Sequence, residues 1–128
     1  MSVPVRAVLW EPNLGIPLSD HEWQMYKLPG VGEHYWHDKT GYRVDRIEEV
    51  DGETRVHLVR DPTWEEAMSS PLPDEYLVDG GRDNEDGYWH FHVVGPTGLV
   101  AGANGYGPRL EPAIRQAVAQ AAERLGFG

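Results

Sequence analysis

The run Tyr88-Trp89-His90-Phe91-His92-Val93-Val94-Gly95-Pro96-Thr97-Gly98-Leu99-Val100-Ala101 decides how the C-terminal third of the chain folds. Side chains alternate along a strand, so Trp89, Phe91 and Val93 share one face, and Tyr88, His90, His92 and Val94 share the other. Gly95 to Gly98 is turn chemistry, and Leu99 to Ala101 returns as a short antiparallel partner. The next stretch, Gly102-Ala103-Asn104-Gly105-Tyr106-Gly107, is too glycine-rich to continue a strand and reads as a loop. Beyond it, Leu110, Ile114, Ala117, Val118, Ala121 and Leu125 recur at steps of three and four, the stripe of an amphipathic helix. Gly126 sits where a left-handed C-cap belongs, with Phe127 placed to fold back onto the last turn. The Trp89/Phe91/Val93 face is expected to pack on the helical stripe. Each large side chain buried there contributes roughly 1.5–3 kcal/mol.

Working back toward the N-terminus, Val3 to Trp10 reads as a strand, at a sheet edge because of Pro4. Ser19 with Glu22 three residues on forms a capping box, and Leu18 with Trp23 suits a hydrophobic staple, so a short helix is expected to end before Pro29-Gly30. Val31 to Trp36 is a strand. Tyr42 to Val50 and Thr54 to Arg60 form a hairpin across Asp51-Gly52. Ile47 falls out of phase with Tyr42 and Val44, which requires a bulge near Asp45-Arg46. A second short helix spans Asp61 to Met68, with Thr63 and Glu66 as its capping box. Glu75 to Val78 is a brief strand, and Asp79 to Gly87 an acidic loop. The expected fold is α+β: a small, strongly bent antiparallel sheet, or two small sheets, with short helices and a C-terminal helix across one face. Residues 1–128 form a single domain, with sub-units 1–78 and 88–128 joined by loop 79–87.

The 128 residues carry a net charge of −10, and Asp61 to Asp86 holds nine acids against Arg82 alone. That excess argues against direct binding to nucleic-acid phosphates, which needs clustered Lys and Arg. It favours a protein partner with a basic surface, whose approach an acidic patch would speed. The absence of cysteine excludes disulfides and thiolate metal sites and fits a reducing compartment. No apolar run approaches the length of a membrane span, and the N-terminus lacks the pattern of a signal peptide, so no membrane association and a cytoplasmic location are expected.

Each group of residues able to carry chemistry also has a simpler structural role. His90 and His92, two apart on one strand face, have a spacing that suits zinc, with His34, His37, Asp38 or His57 as a third ligand. Nothing in the sequence brings these together, and no metal or other cofactor is expected. Glu33-His34-x-x-His37-Asp38 is a dense titratable cluster, but a strand end and turn explain it. Ser19-Asp20-His21 holds the three triad residue types, yet adjacent positions cannot form that relay, and capping accounts for Ser19. The Gly102–Gly107 segment with Arg109 has the character of an anion-cradling loop without a P-loop ending. Asp79, Asp83, Glu85 and Asp86 match a calcium loop in composition but not in order. Trp64, beside acids early in its helix, suits an interface, since aromatics are enriched at hot spots.

The pattern Trp89-x-Phe91-x-Val93, Gly98-x-Val100, Tyr106, then Ile114 and Val118 resembles the small ββα repeat of the YegP-like family. The resemblance implies a fold unit and no reaction. Leu28 to Val59, with its Pro-Gly-x-Gly-Glu opening, resembles the start of a small SH3-like barrel. The acidic segment points to a non-enzymatic interaction module: an inhibitor, an adaptor or a mimic of nucleic-acid charge that occupies a basic surface on a protein partner. Its partner surface would use Trp64, Glu65, Glu66, Asp74, Glu75, Asp79, Asp83, Glu85 and Asp86. The alternative is a small-ligand or metal-binding domain using Tyr88, His90, His92, Asn104, Tyr106 and Arg109.

Overall fold

The computed structural model describes residues 2–126. Among the described residues, eight strands and two helices follow one another as β1 (Val3–Trp10), β2 (Ser19–Met25), β3 (His34–His37), β4 (Thr40–Val50), β5 (Glu53–Arg60), α1 (Pro62–Ser69), β6 (Leu77–Arg82), β7 (Trp89–Gly95), β8 (Gly98–Gly107) and α2 (Leu110–Leu125). The first five strands form a sheet of order β2-β1-β5-β4-β3, in which β1 and β5 run parallel and every other pair is antiparallel. The remaining three form an antiparallel sheet, β6-β7-β8. A lone bridge between Asp38 and Gly80 ties β3 to β6, through a Gly80 N–H donated to the Asp38 carbonyl at 2.9 Å. The α+β expectation is met in its coarse form, with strand dominating, but the first sheet is mixed rather than antiparallel, because β1 and β5 run side by side in the same direction.

The hairpin β4–β5 turns where expected. Asp51 and Gly52 both take positive φ, 53° and 79°, the backbone a two-residue hairpin turn demands. The register slips between Val44 and Arg46, so Val44 faces Leu58 and Ile47 faces Val56. The extra residue turns both apolar side chains inward, as the phase error in the sequence requires.

The strand expected from Val31 begins only at His34, because Gly32 takes positive φ in a turn, and three further segments depart from the sequence reading. Ser19 to Met25 is a strand, not a capped helix, because Val3, Val5 and Ala7 of β1 offer it a partner row opposite Met25, Trp23 and His21. Glu22 pairs across the strands with Arg6 at 3.2 Å instead of closing a capping box. Local capping signals lose here to strand pairing, which buries Met25 completely. β1 is consequently interior. Its Pro4 is tolerated because pairing with β5 begins only at Arg6. The second helix is capped by Asp61, whose carboxylate accepts from the Trp64 N–H at 3.3 Å; Thr63 is not its cap. Pro62 then occupies the first turn, where no N–H is needed.

The third departure is the glycine segment. β6 runs on to Arg82, and β8 runs on to Gly107, so neither Asp79–Arg82 nor Gly102–Gly107 is a loop. A Cβ at Gly105 would lie 1.7 Å from the Ala113 carbonyl oxygen. Glycine there lets α2 settle directly on β8. A Cβ at Gly80 would lie 2.1 Å from the His90 carbonyl oxygen. The glycines thus serve close approach between elements rather than turning.

Trp89, Phe91 and Val93 are buried at 5%, 2% and 0% exposure against Ile114, Ala117, Val118 and Ala121 of α2, as the alternation requires. The same core continues into the first sheet through Trp36, Leu58 and Val5. Gly126 caps α2 in the left-handed conformation, φ 78°; the expected packing of Phe127 lies outside the described residues. No helix of the described residues is long and apolar enough to cross a membrane.

Candidate binding cleft

The first sheet curls until its far strand faces its other end. Trp23 of β2 stacks on His37 of β3 with ring centroids 4.0 Å apart, although no backbone bonds join those strands. The seam left open between β2 and the β3/β6 junction is a cleft of about 690 Å³. Glu22, Trp23 and Gln24 form one wall, and Asp79 to Asn84 form the other. Tyr35, His37, Asp38 and His90 complete it.

Each group has a local reason for its position. Arg82 donates from Nε to the Gly87 carbonyl at 2.8 Å, and its guanidinium lies 4.8 Å above the Tyr26 ring and 5.6 Å from that of Trp89. It is therefore anchored as part of the wall. Asp83 begins an Asx turn: its Oδ1 accepts from the N–H groups of Glu85 at 2.7 Å and Asp86 at 3.3 Å. Those two bonds hold its carboxyl below the usual range. Asp79 accepts from His92 at 3.1 Å and lies 4.0 Å from Lys39, which also approaches Asp38 at 3.8 Å. Carboxylates thus outnumber cations around the opening. Tyr35 is 6% exposed, meets Trp89 edge-on, and has its phenol pushed up by burial, against the opposing charge of Arg82.

His37 is an exposed residue, but desolvation of its ring, on which Trp23 stacks, lowers its pKa, while Asp38 and Asp79 pull it upward and His21 adds to the lowering. Between the lowered folded value and the ordinary value near 6.5, the unfolded chain binds the proton better, so folding loses stability as pH falls through that interval. Unfolding free energy measured from pH 5 to 8 should rise with pH more steeply in the native protein than in a His37→Gln variant. Equal slopes would contradict the shielding by Trp23.

The site residues anticipated from sequence are dispersed. Asp79 and Asp83 line the cleft, with Glu85 and Asp86 on the adjoining loop. Glu65 is turned inward, accepting from the Gly41 N–H at 3.0 Å and facing Arg60 at 3.6 Å. Trp64 also packs inward. It stacks on His34 at 4.1 Å, abuts Gly41, and donates from Nε1 to Glu111 at 3.3 Å. Glu66, Asp74 and Glu75 are exposed but outside the cleft lining. The nine residues therefore form no single belt.

Tyr88, His90, His92, Asn104 and Tyr106 do share the outer face of the second sheet. His90 lies opposite Tyr106 and His92 opposite Asn104, and Tyr106 contacts both Tyr88 and His90. Arg109 does not join them; it flanks α2 in a separate depression with Lys27 and Glu111. His90 and His92 engage different carboxylates, Asp86 at 3.6 Å and Asp79 at 3.1 Å. His34 bonds Asp61 instead, and His57 is buried between Trp10 and Glu48. Neither supplies a third ligand beside the strand pair. Among the described residues, Asp83, Asp86 and His90 bring ligating atoms within 4.8 Å, all exposed, with both carboxylates already accepting backbone N–H groups. Ser19 and His21 approach at 3.2 Å, but Asp20 points to Arg6 on the opposite face, so no relay forms.

The sequence reading missed Glu22, Gln24, Tyr35, Gly81 and Asn84 as cleft residues. The legible signal was Asp79-Gly80-Gly81-Arg82, a glycine pair between charges at a strand end. Among the described residues, the lining offers no serine, threonine or cysteine for covalent chemistry. Comparison of the chain with protein-family models, with characterised proteins and with solved structures finds no match.

Proposed function

We propose that this chain is an acidic interaction module that occupies a basic surface on a protein partner through the cleft between β2 and β6. The observation that carries this reading is the set of carboxylates Glu22, Asp38, Asp79 and Asp83 around one opening. Three of the four already meet a cation of the chain, Glu22 with Arg6 and Asp38 and Asp79 with Lys39, and Arg82 donates to the Gly87 carbonyl, so carboxylates still outnumber cations at the opening. The rings of Trp23 and Tyr35, which also line the cleft, supply apolar contact beside that charge. Such a site gains speed and selectivity of association from its field and affinity from the rings. An inhibitor or adaptor that covers a cationic surface of another protein fits this chemistry.

Selection of peptides from a random displayed library on the immobilised protein tests the reading. Lys- and Arg-rich peptides should be enriched, and their binding should weaken steeply as salt rises. Enrichment of neutral or acidic peptides, or binding insensitive to salt, would contradict it.

A further inference from the structure

The chain treats its two free sheet edges in opposite ways. On β8, the side chains of α2 close the edge: Gln120 Oε1 accepts the Asn104 N–H at 3.0 Å, and Gln116 Oε1 accepts the Tyr106 N–H at 3.1 Å. On β2, the sole strand partner among the described residues is β1, and Ser19 to Glu22 are exposed. That uncovered edge forms one wall of the acidic cleft. In the facing wall, β6 has a single bridge beyond β7, at Gly80. A Cβ at the next residue, Gly81, would meet only the Trp36 carbonyl, at an ordinary 3.5 Å. Internal packing therefore does not demand glycine at 81, and its absent side chain leaves room in the wall.

We infer that the partner enters the cleft as an extended segment and adds a strand to the open edge of β2, with Lys or Arg at alternate positions. This rests on the acidic-cleft reading and specifies its ligand. Side chains of an added strand alternate, so one set would lie beside Asp20 and Glu22 and the other beside Trp23 and His37. Arg6 already meets Asp20 at 3.3 Å and Glu22 at 3.2 Å, so the first row keeps an excess negative charge that suits a cationic residue, while aliphatic or aromatic residues suit the second. The same carboxylates oppose pairing of two β2 edges, because like charges would then face one another, so a second copy of this chain is disfavoured as the occupant.

The probe is a nonapeptide alternating Lys with Val or Thr, and two analogues N-methylated on the amides of one edge or of the other. Binding is followed by fluorescence anisotropy and amide chemical shifts. One methylation pattern should weaken binding at least about tenfold, because it removes several backbone hydrogen bonds, while the other leaves it nearly unchanged. Shift changes should centre on Ser19–Gln24 and Gly80–Arg82. Gly81→Val should weaken the parent peptide without altering the urea midpoint. Equal binding by all three peptides within the cleft would remove the strand geometry and leave the acidic-cleft reading standing. Shifts located elsewhere, or no binding by the parent peptide, would overturn both.

Discussion

Gly105→Ala will cost roughly 3 kcal/mol or more of unfolding free energy, because the added methyl meets backbone rather than a flexible side chain. Its Cβ would lie 1.7 Å from the Ala113 carbonyl oxygen and 3.0 Å from the Ala117 nitrogen. Relief requires α2 to lift from β8. Lifting separates Ile114, Ala117 and Val118 from Phe91 and Val93, and it withdraws Gln116 and Gln120 from the strand amides they cap. For a domain whose total stability is of order 5–15 kcal/mol, that is a large share, and the melting temperature should fall by on the order of 10 °C. Gly107→Ala is the matched control, since a Cβ there meets nothing within 4 Å. Its effect should stay within about 0.5 kcal/mol. Urea unfolding of the two variants measures both, and equal midpoints would refute the packing of α2 on β8.

The second large effect belongs to Trp36. Its side chain is 1% exposed and lies where both sheets and α1 meet. It contacts Phe91 edge-on at 6.1 Å and Trp64 at 5.6 Å, and its Nε1 donates to the Asp38 carbonyl at 3.0 Å. That carbonyl also accepts the Gly80 N–H that joins β3 to β6. Trp36→Ala should therefore cost about 4 kcal/mol, as truncation of a buried aromatic does, and should loosen the floor of the cleft as well. Trp36→Phe keeps most of the buried volume and should cost markedly less. A loss under about 1 kcal/mol for the alanine variant would show that the two sheets do not depend on this residue.

The parts of the fold legible in the sequence are those where local pattern and tertiary demand agree. Asp51-Gly52 could turn only one way, and the phase error at Ile47 locates the bulge. Trp89, Phe91 and Val93 alternated too clearly to face water, and α2 repeated its stripe over four turns. The misreadings share a cause. Ser19-x-x-Glu22 carries a helical signal of about 1 kcal/mol, which a neighbouring strand outweighs once β1 offers a partner. Gly102–Gly107 appears too flexible for a strand until one knows that a helix must lie against it. Proximity of that kind is set by residues dozens of positions away. The cleft was hidden for the same reason, because its walls come from β2 and β6, and a segment read as a helix offers no edge. Asp79 and Asp83 were identifiable by charge, whereas Glu22 and Asp38 become their neighbours only through the curl of the first sheet.

The proposal that this cleft receives cationic protein is most directly tested by neutralising it without disturbing its frame. Asn retains the Asx turn of residue 83, and Glu22 is an exposed member of its ion pair, so Glu22→Gln/Asp83→Asn should fold as the native chain does. The association rate and affinity of a Lys/Arg peptide selected on the native protein should both fall in this variant at low salt and converge with the native values at high salt. Undiminished binding at low salt would contradict the account.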